Sequence, residues 1–221
     1  MQSTKKYHLA IDIGASSGRH ILGYEENGVL KTEEIYRFQN APTEKAGTAG
    51  ALGATGSRRL TWDVARLYKE ILNGLKRAKE LNKIPDTVGV DTWGVDYVLL
   101  DENDEVIGDA YAYRDGRTKN TIPSVHKRVP FAELYKKTGI QFAQYNTVYQ
   151  LYDDVRTGKI ERAASYLNLP DYFHFRLTGV KKQEYTMATT SAMVNVETHA
   201  YDTEILEKLG YKKSLFQPLT Q

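Results

Sequence analysis

His8-Leu-Ala-Ile-Asp-Ile-Gly-Ala-Ser-Ser-Gly-Arg19 is the stretch on which the rest of the chain turns. Small and apolar residues lead to Asp12, a tight turn follows through Gly14-Ala-Ser-Ser-Gly18, and Arg19-His-Ile-Leu-Gly-Tyr24 runs back. The pattern predicts a β-hairpin that leaves a buried strand and carries glycine and hydroxyl residues at its tip. Such a tip presents backbone N–H groups and serine hydroxyls to an anion, because glycine lets the main chain come close. Asp12 beside it suits an oxygen-ligated Mg2+, held directly or through water. An ordinary hairpin turn could have the same residues, so the remainder of the chain has to decide.

Working outward, Val29 to Phe38 predicts a third strand antiparallel to the second. Residues 39–58 are rich in Ala, Gly, Thr and Ser and offer little to bury, so they read as a mobile loop. Val64, Leu67, Tyr68, Ile71, Leu72, Leu75 and Ala78 then form one apolar stripe, which predicts a helix capped by Asp63. Strands are expected at Thr87–Thr92, Val95–Leu100 and Val106–Tyr113. Three strands, a crossover helix and further strands make an α/β fold, its mixed sheet opening with a three-stranded antiparallel part and flanked by helices. Beyond Arg114 the sequence predicts helices over Phe131–Lys137, Val148–Thr157, Asp171–Leu177 and Asp202–Leu209, with Gly179 and Gly210 as stops. Glu184 to Val194 is ambiguous.

Composition narrows the function. Thirty basic against 28 acidic residues leave a net charge of +2, which gives no electrostatic footprint for nucleic acid or a membrane surface. The chain has no cysteine, so disulfides and thiolate metal sites are excluded. No run is long enough to span a bilayer, and no apolar signal segment precedes the first strand. These exclusions leave a cytoplasmic protein as the default. Neither a Walker loop nor a dinucleotide fingerprint is present. The five scattered histidines lack zinc-ligand spacing and read as surface residues. The 16 tyrosines suit cleft walls, although most should fill half-buried positions.

Asp91-Thr-Trp-Gly-Val-Asp96 lies at the end of a predicted strand, where open α/β sheets place ligands. Trp93 offers a flat face to a sugar ring, and Gly94 allows close backbone approach; a core tryptophan beside a glycine-permitted turn is the plainer reading. The charges of Tyr113-Arg-Asp-Gly-Arg117 read as solvated pairs.

Eight segments occur in one order: Asp12–Arg19, Thr61-Trp-Asp-Val64, Asp91–Asp96, Tyr113-Arg-Asp115, Thr138-Gly-Ile-Gln-Phe142, Asn146-Thr-Val-Tyr-Gln150, Leu169-Pro-Asp-Tyr-Phe173 and Glu184-Tyr-Thr186. Together they resemble the amino-terminal half of the FGGY carbohydrate kinases, from about residue 8 onward, and within that family the members that phosphorylate L-rhamnulose. The Ala/Gly-rich loop before Thr61 is longer than the family needs.

The resemblance implies an actin-like ATPase (ribonuclease H-like) fold in which two domains close on a cleft. It implies transfer of the ATP γ-phosphoryl group to the 1-hydroxyl of L-rhamnulose, with Mg2+. Residue by residue, it assigns Ala15, Ser16, Ser17, Gly18 and Arg19 to the ATP-phosphate turn and Gly94 to a sugar contact. Asp12 matches the metal-organising carboxylate. Trp93, Thr92, Tyr145 and Asn146 are further cleft candidates from their position alone. The family's general-base aspartate belongs to a His-Asp-Thr motif in its second half, together with most adenosine contacts. This sequence contains no His-Asp-Thr, and nothing marks Asp91, Asp96 or Asp115 as a substitute. No catalytic base is therefore assigned within the chain; it is expected beyond Gln221. Residues 1–221 are expected to be an N-terminal, sugar-binding kinase domain, nearly inactive alone, whose partner is the C-terminal domain. Its uncovered cleft face would then favour self-association. The alternatives are another ketose kinase of fuculose or xylulose type, half of a split enzyme, and a non-catalytic sugar- or nucleotide-binding module.

Overall fold

The structure, a computed structural model, describes residues 5–46 and 58–221. The chain opens as a meander of β1 (His8–Ile13), β2 (Ser17–Glu26) and β3 (Val29–Gln39), each antiparallel to the one before. Alternation makes β1 one-sided: Leu9, Ile11 and Ile13 are buried, while Asp12 lies on the other face. Next come β4 (Thr43–Ala46) and β5 (Arg58–Trp62), which pair with each other. Helix α1 (Val64–Glu80) follows, its Asp63 cap accepting from Arg66 N at 2.9 Å. Leu67, Ile71, Gly74 and Ala78 form the buried stripe of α1. Strand β6 (Thr87–Thr92) then pairs parallel with β1, giving a four-stranded sheet in the order β3-β2-β1-β6. This is the mixed sheet expected of the sequence.

Strand β7 (Tyr97–Leu100) is buried throughout, and the short β8 (Ala110–Tyr111) joins β5. The remainder is helical: α2 (Ile122–Arg128), α3 (Phe131–Thr138), α4 (Thr147–Arg156), then β9 (Ser165–Asn168), α5 (Leu169–Thr178), α6 (Tyr185–Thr189) and α7 (Thr203–Leu209). Strand β9 pairs antiparallel with β7. Gly179 and Gly210 end α5 and α7 at φ +74° and +72°, as their stop positions predict. Two apolar clusters result. One packs α1 and α5 against the four-stranded sheet through Leu9, Ile11, Leu67, Ile71 and Phe173. The other surrounds α4 through Val148, Tyr149, Leu151, Leu134 and Tyr166.

Several expectations need correction. Within the 39–58 loop, Thr43–Ala46 is a strand held by β5, and residues 47–57 lie outside the described residues. The strand expected over 106–113 shrinks to Ala110–Tyr111 plus a single bridge from Val106 to Leu100. Helix α2 and strand β9 were not anticipated; β9 is buried on both faces, so its sequence carries no alternation. His20 is fully buried rather than superficial, packed between Tyr36, Phe38 and Gly74. Of the charges of residues 113–117, Arg114 is exposed, but Asp115 and Arg117 are not solvated. Asp115 is buried and accepts from Leu60 N, Arg59 Nη1 and Arg117 N, while Arg117 is buried against Asp154. Among the described residues, no helix is long and apolar enough to cross a membrane.

Candidate functional site

Strands β1 and β6 run parallel, so their carboxyl ends lie at one edge of the sheet. Ile13 and Thr92 are register partners there. The chain leaves the first strand into the Gly14–Ser16 turn and the second into Trp93-Gly94, which sets the two turns side by side at the usual ligand edge of such a sheet. The first turn is closed by Gly14 N donating to Ser17 O at 2.8 Å. Asn40 staples it from behind: its N–H donates to Ser16 O at 2.9 Å, and its side-chain amide donates to Gly14 O at 2.9 Å. Arg66 Nη2 in turn donates to Asn40 Oδ1 at 2.9 Å. Gly18 must be glycine because the Phe38 ring occupies the space a Cβ would take. Ala15, Ser16 and Ser17 thus form a fixed tip, with Ser16 exposed.

Asp12 and Arg19 face each other across β1 and β2, and Asp12 Oδ2 accepts from Arg19 Nε at 2.9 Å. On its other side, Asp12 is the register partner of Asp91 on β6. Two partly open carboxylates on neighbouring parallel strands form a hard oxygen donor set of the kind Mg2+ accepts, so the residues present fit the ion.

At the Trp93-Gly94 turn lies a pocket of about 410 Å³ lined by Trp93, Gly94, Val95, Tyr113, Ile140, Gln141, Ala143, Tyr145, Asn146 and Thr190. Four of the five sugar-site candidates, Gly94, Trp93, Tyr145 and Asn146, meet here. Thr92 does not: it is buried, and its hydroxyl donates to Trp93 O at 2.9 Å. Asn146 is committed mainly to structure, since its Oδ1 accepts from Ala143 N at 2.8 Å. Val95, not Gly94, takes the left-handed backbone, at φ +67°. The Tyr113 and Tyr145 rings meet edge to face with centroids 5.9 Å apart.

Asp96 anchors the wall from behind. Its Oδ2 accepts from the indole N–H of Trp62 at 2.7 Å, from that of Trp93 at 2.8 Å and from Tyr113 N at 3.0 Å. Gln150 Nε2 donates to its Oδ1 at 3.0 Å. Burial pushes the Asp96 carboxyl up, against the pull of these four bonds. The group therefore positions two indoles, whose centroids are 4.2 Å apart with the planes inclined at 42°, rather than facing the pocket. The pocket lining contains no carboxylate. Gln221 is exposed and forms no part of that lining. Its neighbour Thr220 is tied to Gln183, with Thr220 N donating to Gln183 O at 2.9 Å. Tyr113, Val95, Ile140, Gln141, Ala143 and Thr190 were missed as site residues. Val95, Tyr113, Ile140 and Gln141 belong to the eight ordered segments, whereas nothing local distinguishes Thr190.

A mixed sheet flanked by helices, with a glycine-serine turn after β1 and an aromatic pocket at the turn after its edge neighbour β6, makes this an actin-like, ribonuclease H-like domain. The chain belongs to the FGGY family of carbohydrate kinases: residues 7–221 match the model of that family's N-terminal domain. A rhamnulokinase of Halalkalibacterium halodurans is 45% identical over 215 residues, covering 96% of this chain and 44% of the relative. One of Oceanobacillus iheyensis is 43% identical over 214 residues, covering 96% and 43%. The chain thus spans less than half the length of these curated relatives. Among solved structures, a gluconate kinase from Lactobacillus acidophilus superposes with a TM-score of 0.81 at 18% identity, covering 99% of this chain and 42% of that one. At that identity the likeness speaks for the fold alone.

Proposed function

We propose that this chain is the sugar-holding half of a kinase that moves the γ-phosphoryl group of ATP to the 1-hydroxyl of L-rhamnulose. The observation that supports the reading is the Ile13–Thr92 register, which pairs the strand leading into the glycine-serine tip with the strand leading into Trp93-Gly94 of the aromatic pocket. Donor and acceptor of a phosphoryl group must be held in line and close together, and positioning supplies most of the catalysis. The amides of Ala15 to Gly18 would face the polyphosphate, with Arg19 adding positive charge. Asp12 would hold Mg2+, which when bound neutralises charge on the phosphates.

The pocket lining carries no charged side chain, which suits a neutral sugar. Trp93, Tyr113 and Tyr145 would pack against C–H faces, while Gln141 and Thr190 would meet hydroxyls. Val95, Ile140 and Ala143 offer apolar surface to the methyl carbon of L-rhamnulose. A base is still required at the attacking hydroxyl. With no His-Asp-Thr between Met1 and Gln221, the base would come from a second domain closing over the edge.

Calorimetric titration of L-rhamnulose, L-fuculose and xylulose into this chain tests the reading. Preference for L-rhamnulose, with ADP release near background when ATP and Mg2+ are added, is expected. Brisk turnover by the chain alone would overturn the division of labour. Binding of xylulose in preference to L-rhamnulose would move the substrate to another ketose.

A further inference from the structure

Gln150 lines none of the open pocket, yet it joins three of the pieces that shape it. Its side chain is buried on α4, and the two N–H bonds of Nε2 are shared among three acceptors, Tyr145 O at 2.9 Å, Asp96 Oδ1 at 3.0 Å and Val95 O at 3.2 Å. Its Oε1 accepts from Arg117 Nη2 at 3.0 Å. A guanidinium only donates, so that bond fixes which end of the amide faces the pocket wall. Arg117 is itself anchored to Asp154, with Nη1 3.3 Å from Oδ1.

Each of the three acceptors governs a different part of the wall. Tyr145 lines the pocket directly. Asp96 holds the Trp93 indole. Val95 is a β-branched residue at φ +67°, a conformation that costs free energy and persists only where the surroundings over-determine it. They do so here, since Thr147 Oγ1 also donates to Val95 O at 2.8 Å, and Val95 N donates to Thr190 Oγ1 at 3.2 Å.

We propose that Gln150 is a positioning residue for the sugar: it clamps the Val95 turn and, through Asp96, the Trp93 ring, without touching the ligand. The proposal rests on the reading of this pocket as the sugar site. Pre-organising a wall in this way raises affinity by sparing the ligand the cost of ordering it.

The test uses the 221-residue chain, labelled with 15N at its two tryptophans, and L-rhamnulose as the probe. Gln150→Met keeps the bulk and removes the amide. It is expected to move the Trp93 indole N–H resonance and to weaken binding about ten-fold in protein that keeps its circular dichroism. Val95→Gly, which takes a positive φ without strain but gives up a buried side chain, is expected to weaken binding about three-fold in protein that keeps its circular dichroism. A residue that merely stabilised α4 would change Tm and leave both the resonance and the affinity of the folded protein as they were; that result overturns the proposal. Should Gln150→Met fail to fold, Val95→Gly decides, and wild-type affinity in it counts against the clamp. If the wild-type chain binds none of the three ketoses, the sugar-site reading falls. The Trp93 resonance in Gln150→Met then tests the clamp separately from the ligand: a shift shows that Gln150 sets the ring, and an unchanged signal overturns that too.

Discussion

Arg19 Nη2 lies 2.8 Å from Asp12 Oδ2, across the rung that joins β1 to β2, so the two charged residues of the proposed phosphate end are partners before any ligand arrives. Both side chains are nearly half exposed, at 46% and 45%. A pair so open to water contributes only about 0–1 kcal/mol, which leaves either member free to turn to a ligand at little cost.

Asp12→Asn is accordingly expected to lower Tm by no more than about 2–4 °C. The same variant should weaken binding of Mg2+ with ATP about ten-fold, in line with loss of a charge-assisted contact. Differential scanning calorimetry and isothermal titration check the two halves. Unchanged nucleotide affinity would remove Asp12 from the metal site.

Gly94 has no left-handed backbone to protect, and its constraint is space. A Cβ there would stand 3.1 Å from both the Cγ2 and Oγ1 of Thr190. Gly94→Ala should push Thr190 aside, loosening its bond to Val95 N, at an overpacking cost of about 1–3 kcal/mol. Ketose affinity should fall more than stability does. Paired titration and urea unfolding would expose the opposite ranking.

Gly74 sits inside α1, where replacing glycine by alanine ordinarily stabilises by about 1 kcal/mol. Here the His20 ring already fills the space of the new methyl group. The clash should win, so Gly74→Ala is expected to destabilise by about 1–3 kcal/mol. A raised urea midpoint would show that His20 can swing clear.

Burial pushes the Asp171 carboxyl up to about 7, against hydrogen bonds from Glu184 N and Asn168. A carboxyl with its pKa raised in the fold contributes stability below its unfolded value, near 4, and that contribution is lost as pH climbs through 7. The loss is on the order of 4 kcal/mol at most. His20 acts in the opposite sense. Burial lowers it to about 4, so its contribution is full above 6.5 and fades as pH drops toward 4. Asp171→Asn isolates the first effect, because the cost of its changed hydrogen bonding is the same at every pH. The variant should gain on the wild type between pH 5 and pH 8 in urea unfolding; an unchanged difference would show that Asp171 stays ionised throughout.

The parts of the fold that could be read from the sequence are those whose cause is local. The apolar residues of β1 recur at every second position, and those of α1 follow the helical turn, so each element declares its own buried side. The Gly14–Arg19 turn and Trp93-Gly94 were legible because each follows such a strand. Thr190 was not, since its place beside Gly94 depends on how α6 packs. Nor was the burial of Arg117, whose charge is answered by Asp154, 37 residues away. Whether a charge ends in water or in the interior is decided by distant partners, and no spacing rule records them. Thr92 shows the converse error: period-two alternation alone turned it inward, while Trp93, the next residue, reached the pocket.

The parallel pairing of β1 with β6 joins His8 to Thr87, and everything between them must be made before that seam can close. Contacts so far apart in the chain form late, because closing a long loop costs entropy before any pairing repays it. A chain emerging from the ribosome can therefore zip the β1–β3 hairpins and their glycine-serine tip well before the sugar wall exists. Thr190, still about a hundred residues further on, arrives last of all.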